Sequence, residues 1–167
     1  MTLAEFNQLP EQEKKESLAK CCGATAWIEK MMQRFPFASK AILLNDAEQL
    51  WWQCTENDWL EAFIHHPRIG SRETMAKKFS TTAHWAADEQ KGTSQAAAAT
   101  IDALLLGNEA YEKKFGFIFI ICATGKSATE MLSLLQQRLP NEKEKETRIA
   151  ATEQNKITAL RLEKLLV

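Results

Sequence analysis

The sequence has no excess of charge of either sign and no long hydrophobic run. Its 21 lysine and arginine residues nearly balance 22 aspartate and glutamate residues, so no global field draws the chain onto nucleic acid or a membrane surface. No apolar run approaches the ~18 residues that a membrane-spanning helix requires, and no charged-then-apolar leader precedes Thr2. These absences argue against nucleic-acid and membrane partners. They favour a small-molecule partner and a cytoplasmic location.

Cysteine is sparse and lacks the spacing of metal or redox sites. The four cysteines, Cys21, Cys22, Cys54 and Cys122, include no C-x-x-C pair, which is the spacing typical of zinc sites and thiol–disulfide enzymes. We therefore expect reduced, mostly buried thiols. A chain of 167 residues that is 45% hydrophobic buries roughly 70% of its unfolded surface and needs no cross-link. The sequence predicts one compact domain over residues 1–167.

Strand alternation is scarce along the chain, whereas helix start and stop signals recur. Capping boxes are predicted at 2–5 and 127–130, and further helix caps at Ser39, at 55–58 and at Asn141. Two short helices are predicted at the start, the second over 10–23, followed by a third over 24–34, a fourth from Ser39 and a fifth from Thr55. A short turn is predicted at 71–78. The clearest helix is predicted at 94–114, and it is followed by one over 127–140 and a last one over 141–166. This pattern predicts an all-α domain.

One segment, 115–123, has the composition of a strand, with the sequence Phe-Gly-Phe-Ile-Phe-Ile-Ile-Cys-Ala. A single strand has no sheet to join, so we interpret the segment as a buried, irregular passage through the helical core. Apolar spacing predicts that the last helix turns four side chains inward, and the charged run 142–146 is predicted to face solvent. The four predicted inward side chains are Ile149, Ile157, Leu160 and Leu165.

The segment 66–70, His-Pro-Arg-Ile-Gly, places an imidazole at a fixed bend. Proline does not continue a helix and restricts the residue before it, so His66 is predicted to follow directly on the helical pattern 58–64. The negative end of a helix dipole favours a cation there, and an imidazole titrates near neutral pH. The position suits proton transfer, although a His-Pro pair at a helix end is also an ordinary helix stop.

Two other functions stay open from the residues alone. A metal-dependent helical phosphohydrolase would use His65 or His66 with Asp88, drawing also on His84 and Glu89. Against it, neighbouring histidines project in different directions, and no H-x-x-x-H or H-E-x-x-H spacing occurs.

A non-catalytic interaction module is the other alternative, and it would dock through the face carrying Trp51 and Trp52. No basic stripe interleaves the five tryptophans. Core packing is therefore the more ordinary use of these rings than stacking on bases.

Four blocks in order carry a family resemblance: 66–70, then 85–90 (Trp-Ala-Ala-Asp-Glu-Gln), then 115–123, then 156–162 (Lys-Ile-Thr-Ala-Leu-Arg-Leu). Together they resemble the 2-oxo-4-hydroxy-4-carboxy-5-ureidoimidazoline (OHCU) decarboxylases of purine degradation. The likeness runs over about 6–162, nearly the whole chain. It implies an all-helical fold, a homodimer, no metal, no cofactor, and the release of carbon dioxide to give (S)-allantoin.

The resemblance also implies roles for individual residues. It makes His66 the proton-transfer residue, and it places Glu89 and Arg161 beside it in the catalytic set. Arg161 shares the apolar stripe of the last helix, four residues from Ile157, and Arg148 is the less favoured substitute.

For substrate binding, the resemblance implies a pocket wall, hydrogen bonds to the ring and ureido groups, and main-chain contacts. The family usually has serine where this chain has Ala86, so one hydroxyl contact is missing. The implied substrate-binding residues are Pro67, Ala86, Gln90, Phe119, Ile120, Ile121, Cys122 and Ala123.

Overall fold

All regular structure that the computed structural model describes, in residues 1–68, 72–80 and 90–167, is helical: nine α-helices and no strand lie within those ranges. The all-α prediction is confirmed. The helices are α1 (Leu3–Gln8), α2 (Glu11–Cys21), α3 (Thr25–Met32), α4 (Lys40–Trp52), α5 (Glu56–Ile64), α6 (Arg72–Ser80), α7 (Gln90–Phe115), α8 (Ala128–Arg138) and α9 (Lys143–Leu165).

The helix starts follow the caps read from the sequence. Capping boxes are present before α1, α5 and α8, at Thr2, Thr55 and Ser127. In each, the cap hydroxyl accepts from a backbone N–H while an acidic side chain three residues later accepts from the cap's own N–H. Ser39 caps α4 by accepting from the Ile42 N–H at 3.2 Å. Each cap stabilises its helix by about 1 kcal/mol.

Two segments are more helical than predicted. Residues 72–78 of the predicted short turn at 71–78 belong to a full helix, α6, and position 71 lies outside the described residues. The long helix α7 begins at Gln90, ahead of the predicted start at 94, because Gln90 and Lys91 are good helix formers and a long helix absorbs the ~1 kcal/mol that Gly92 costs.

The buried face of α9 differs from the apolar face that the sequence predicts. Ile149, Ile157, Leu160 and Leu165 are only half-buried. The helix instead turns small and polar residues inward, because their polar groups find hydrogen-bond partners inside the protein. The buried residues of α9 are Glu146, Thr147, Ala150, Ala151, Gln154, Thr158 and Leu162.

The start of α9 also corrects two predictions. The helix begins at Lys143, and the Asn141 amide donates to Glu146 Oε2 at 3.0 Å. Of the charged run 142–146, the first four residues are exposed, but the Glu146 side chain is wholly buried. The charge run therefore predicted the solvated part correctly and failed at Glu146, whose side chain bonds Tyr111, Arg138 and Asn141 inside the protein.

Chain contacts define two compact units. Unit 1 comprises Met1–His66, Ile120–Cys122 and Thr147–Val167. Its core is rich in aromatic rings whose polar atoms are bonded: Trp27 Nε1 donates to Ala47 O and Trp51 Nε1 donates to Ala151 O, each at 2.9 Å. Its largest wholly buried side chains include Phe6, Leu18, Trp27, Leu43, Trp51 and Phe63.

Unit 2 comprises Pro67–Phe119 and Ala123–Glu146. Tyr111 packs against Phe115, Phe117 and Phe119, with ring centroids 4.6–5.8 Å apart. Helix α7 ends at Phe115, and Gly116 follows with φ +82°, a conformation that favours glycine. From Phe117 to Ala123 the chain has no regular structure and buries Phe117, Phe119, Ile120 and Cys122, as predicted for this segment.

In the part of the chain that the structure describes, no helix combines the length and the apolarity that a membrane crossing needs. The four cysteines are buried and form no disulfide bond, in agreement with the expectation of reduced, buried thiols.

Candidate active site

His66 lies where the sequence predicts it, just beyond the last turn of α5. The helix ends at Ile64, His65 is its C-cap, and the His66 N–H donates to Phe63 O at 3.2 Å. The imidazole is half-buried. The residue follows directly on the carbonyl end of α5, which carries partial negative charge.

A chain of hydrogen bonds leads from His66 into the core of unit 1. His66 Nε2 hydrogen-bonds Gln154 Oε1. On its other side the Gln154 amide donates from Nε2 to Thr158 Oγ1 at 3.1 Å, and the Thr158 hydroxyl donates to the Gln154 main-chain oxygen at 3.0 Å. Gln154 is 0% exposed and Thr158 is 3% exposed. These two residues were not predicted from the sequence; the signal that could have revealed them is a polar pair at i, i+4 on the last helix.

Arg161 is on the same side of α9 as Gln154. The two residues are separated by two turns, or about 10 Å along the axis. Arg161 Nη1 lies 3.3 Å from both Lys20 O and Cys21 O, at the carbonyl end of α2, where a cation is favoured. Within the described part of the chain, Nε and Nη2 of Arg161 make no hydrogen bond. Arg148 is exposed.

The strip 120–122 is tied to α9 through its main chain. The Cys122 N–H donates to Glu153 Oε2 at 2.8 Å, and Lys156 Nζ donates to the other oxygen of that carboxylate at 2.6 Å. Ile120 and Cys122 are buried, whereas Ile121 is half-buried. Glu153 therefore positions the main chain of this strip, a role that the sequence analysis did not foresee.

Unit 2 contains a cavity of about 280 Å³. Two residues predicted to bind substrate, Pro67 and Phe119, line it, and so do the polar side chains of Asn108 and Glu109. At its wall Arg68 forms an ion pair with Glu112. A volume near the lower end of the range for ligand pockets suits a small, polar molecule.

The remaining predicted residues lie at or beyond the limits of the described chain. Ala86 and Glu89 fall outside the described residues, as do His84 and Asp88. Gln90 is the first residue of α7, and its side chain is also outside the description. The predicted pairing of Glu89 with His66 stays a prediction.

The described residues provide no support for either of the two alternative functions, a metal-dependent phosphohydrolase or an interaction module. Within 1–68, 72–80 and 90–167, no group of three or more histidine, cysteine, aspartate or glutamate side chains could hold a metal ion. The proposed docking face is altered because Trp51 is buried and only Trp52 reaches the surface, where its ring meets Trp59 edge-on at 5.7 Å.

The chain is similar to proteins of one family along almost its whole length. The sequence model of the OHCU decarboxylase family matches residues 7–163. The uric acid degradation bifunctional protein of Arabidopsis thaliana is 37% identical over 146 residues, which are 87% of this chain and 45% of that protein. A 2-oxo-4-hydroxy-4-carboxy-5-ureidoimidazoline decarboxylase of Halalkalicoccus jeotgali is 25% identical over 170 residues, covering 100% of this chain and 93% of that protein.

Solved structures have the same fold. A crystal structure of an OHCU decarboxylase in the presence of (S)-allantoin matches with a TM-score of 0.72 and 36% identity, over 90% of this chain and 96% of that one. An (S)-allantoin synthase shares the fold at 16% identity. The chain spans less than half the length of the bifunctional relatives, 45% and 32% of them. These similarities support the decarboxylase interpretation over a phosphohydrolase or an interaction module.

Proposed function

The chain belongs to the OHCU decarboxylase family, and on that premise we propose that it converts 2-oxo-4-hydroxy-4-carboxy-5-ureidoimidazoline to (S)-allantoin in purine and urate degradation. The observation that carries the proposal is the match of one family over residues 7–163. The geometry supports it with an imidazole that is held from its inner side by a buried glutamine. Such a group suits proton delivery better than a freely rotating surface histidine does.

The proposed reaction breaks one carbon–carbon bond and forms one carbon–hydrogen bond. Loss of carbon dioxide leaves an electron pair on carbon, which many enzymes pass to a cofactor. In OHCU the carboxylated carbon adjoins a conjugated C=N group that accepts this pair. The protein then has to orient the carboxylate, stabilise the developing charge and deliver one proton. The proposal includes neither a cofactor nor a metal.

His66 is the proposed proton-transfer residue, a role typically worth ~10²- to 10⁴-fold in rate. Its ring is half-buried and held at the end of α5, so it presents the proton from a fixed direction. Delivery to one face of the intermediate gives one enantiomer of allantoin. Spontaneous breakdown has no such preference.

The other catalytic residues of the proposal are Glu89 and Arg161. Glu89 orients the substrate by accepting hydrogen bonds from its ring or ureido N–H groups. Arg161 binds the substrate carboxylate, because a guanidinium fixed through Nη1 to the carbonyl end of α2 keeps further donors for an anion.

The proposal also includes a substrate-binding set. Pro67 and Phe119 are proposed to form part of the pocket wall, and both line the 280 Å³ cavity of unit 2. In the proposal Gln90 donates and accepts hydrogen bonds to the substrate, and Ala86, where the family usually has serine, supplies no hydroxyl contact. Main-chain groups of Phe119, Ile120, Ile121, Cys122 and Ala123 complete the set.

We further propose that the chain acts as a single domain over 1–167, forms a homodimer and works in the cytoplasm. The first two follow from the family, and the third follows from the reduced state of its buried cysteines. Sedimentation analysis of the purified protein tests the dimer; a mass of one chain at micromolar concentration contradicts it.

The activity is tested with freshly generated OHCU by following the optical activity of the allantoin formed. We expect optically active product at a rate above the spontaneous one. His66→Asn should abolish stereospecific turnover with an unchanged helical circular dichroism spectrum, whereas His65→Asn, one residue away and exposed, should retain it. Racemic allantoin at the spontaneous rate would overturn the proposal.

A further inference from the structure

With the Gln154 amide oriented as it is in the structure, the hydrogen bonds behind His66 run in one direction. A threonine hydroxyl has a single hydrogen, and that of Thr158 is donated to the Gln154 main-chain oxygen at 3.0 Å. Oγ1 therefore accepts from the Gln154 amide nitrogen, 3.1 Å away. The Gln154 side-chain oxygen is left facing His66.

A carbonyl oxygen only accepts hydrogen bonds, so the ring nitrogen that meets it must carry a hydrogen. His66 Nε2 is thus protonated in both charge states of the ring. In the neutral imidazole the lone pair is then on Nδ1, and Nδ1 is the atom at which a proton is gained or lost.

The groups that hold this arrangement are uncharged. Gln154 is 0% exposed and Thr158 is 3% exposed, so water does not compete for their hydrogen bonds. The Thr158 hydroxyl also hydrogen-bonds the Cys22 thiol, and burial raises the pKa of that thiol to about 12, so it is neutral at physiological pH. Gln154, as a neutral acceptor, fixes the tautomer without itself contributing a negative charge.

We propose that Gln154 and Thr158 are positioning residues for the decarboxylation, which set the tautomer and orientation of His66 so that Nδ1 transfers the proton. This inference rests on the proposed function, since it names the atom that performs the proposed proton transfer. Neither residue touches the substrate in this proposal. Both act through the imidazole.

The tautomer is measured by long-range ¹H–¹⁵N correlation spectra of the protein labelled at its histidine nitrogens, with His66→Asn assigning the signal. We expect the neutral wild-type ring to show a protonated Nε2 and an unprotonated Nδ1. In Gln154→Leu and in Thr158→Val we expect a mixture of the two tautomers. A wild-type ring protonated at Nδ1, or an unchanged tautomer in both variants, overturns the inference.

Turnover supplies the second readout. With OHCU as substrate, Gln154→Leu and Thr158→Val should lower kcat by about tenfold or more and leave KM nearly unchanged, a smaller loss than the ~10²- to 10⁴-fold expected for removing the imidazole. Thr158→Ser keeps the hydroxyl and should restore both kcat and tautomer. A residue that only supports folding would lower the melting temperature without shifting the tautomer.

Thr152→Val is the matched control. Thr152 is on the same helix and its hydroxyl donates to a main-chain oxygen four residues earlier, Arg148 O, at 3.0 Å, but the residue is exposed. It should change neither readout. The spectrum needs no substrate, so the two proposals can fail separately. A ring protonated at Nε2 in a protein without turnover would refute only the decarboxylase proposal. Turnover by a protein whose neutral His66 is protonated at Nδ1 would refute only the positioning role.

Discussion

Arg138 and Glu146 form a buried ion pair in unit 2, in which Nε and Nη2 of the guanidinium lie 2.6 and 2.5 Å from the same carboxylate oxygen, Oε1. Tyr111 donates its hydroxyl to that oxygen at 2.5 Å, and the Asn141 amide donates to Oε2 at 3.0 Å. Burial raises the pKa of Tyr111, so it remains a neutral donor. Each charge is therefore compensated by a buried partner.

Removing the carboxylate should destabilise the fold strongly. Glu146→Ala leaves a buried guanidinium without its counter-charge, and breaking such a pair costs about 3–5 kcal/mol. Urea unfolding measures the loss. Glu144→Ala, at an exposed position on the same helix, should stay within about 0.5 kcal/mol of the wild type. Equal unfolding midpoints for the two variants would show that the pair contributes nothing.

The features that sequence predicted and those that it missed differ in the separation of the interacting residues. Capping boxes at Thr2, Thr55 and Ser127 join residues three apart, so their signal is local and complete in the sequence. Glu146 and Gln154 look like ordinary solvent-facing residues of α9. Each is held in part by a residue far away in sequence, Tyr111 at 35 and His66 at 88 positions, and periodicity does not encode such pairs.

Within the candidate site the same distinction holds. The position of His66 at a helix end was predictable because proline acts on its immediate neighbour. Arg161 was correctly placed on the stripe of Ile157 and Leu165, all of them half-buried. The contact of its guanidinium with the end of α2 involves residues 140 and 141 positions away, so the sequence could not show it.

Gly23 should be intolerant of any side chain because His65 packs against it. A Cβ at Gly23 would lie 2.5 Å from the His65 ring, so Gly23→Ala forces that ring and the adjoining backbone of His66 to shift. We expect a loss of about 1–3 kcal/mol of stability, measured by thermal unfolding, and a displaced His66 signal in the histidine spectra.

Gly116→Ala is the comparison for that variant. Nothing lies within 4 Å of a Cβ at Gly116, whose φ is +82°, so its cost of about 1 kcal/mol comes from the backbone alone. The His66 signal should be unchanged. A Gly23→Ala protein with wild-type stability and an undisturbed His66 signal would contradict the packing argument.

The buried thiols make stability fall at alkaline pH. Burial raises the pKa of Cys22 to about 12, and that of Cys21 and Cys54 to about 11, from an ordinary value of 9.0. A raised folded-state pKa means that the unfolded chain ionises first, so the contribution is complete below about pH 9 and is lost as the pH rises toward 12.

Urea midpoints at about pH 8 and about pH 10.5 measure this loss. Cys22→Ala should show a smaller fall between the two pH values than the wild type does. Leu18→Ala, a nearby core variant that keeps every thiol, should be less stable at both values with the same fall. A fall that is identical in Cys22→Ala and the wild type would remove this thiol as a cause.

Arg161 has a structural contact and a proposed substrate contact, and two variants separate them. Arg161→Leu should lower the melting temperature, since the carbonyl end of α2 loses a charged donor, a bond worth about 1.5–3 kcal/mol. It should also raise KM for OHCU about tenfold or more, because a charge-assisted bond to the substrate carboxylate is lost. Arg161→Lys keeps the positive charge but lacks the planar guanidinium, so its melting temperature and its KM should lie between those of the wild type and of Arg161→Leu.

Arg148→Leu, exposed on the same helix, is the control and should alter neither the melting temperature nor KM. An unaffected KM together with a lower melting temperature in Arg161→Leu would limit the arginine to holding α2 against α9.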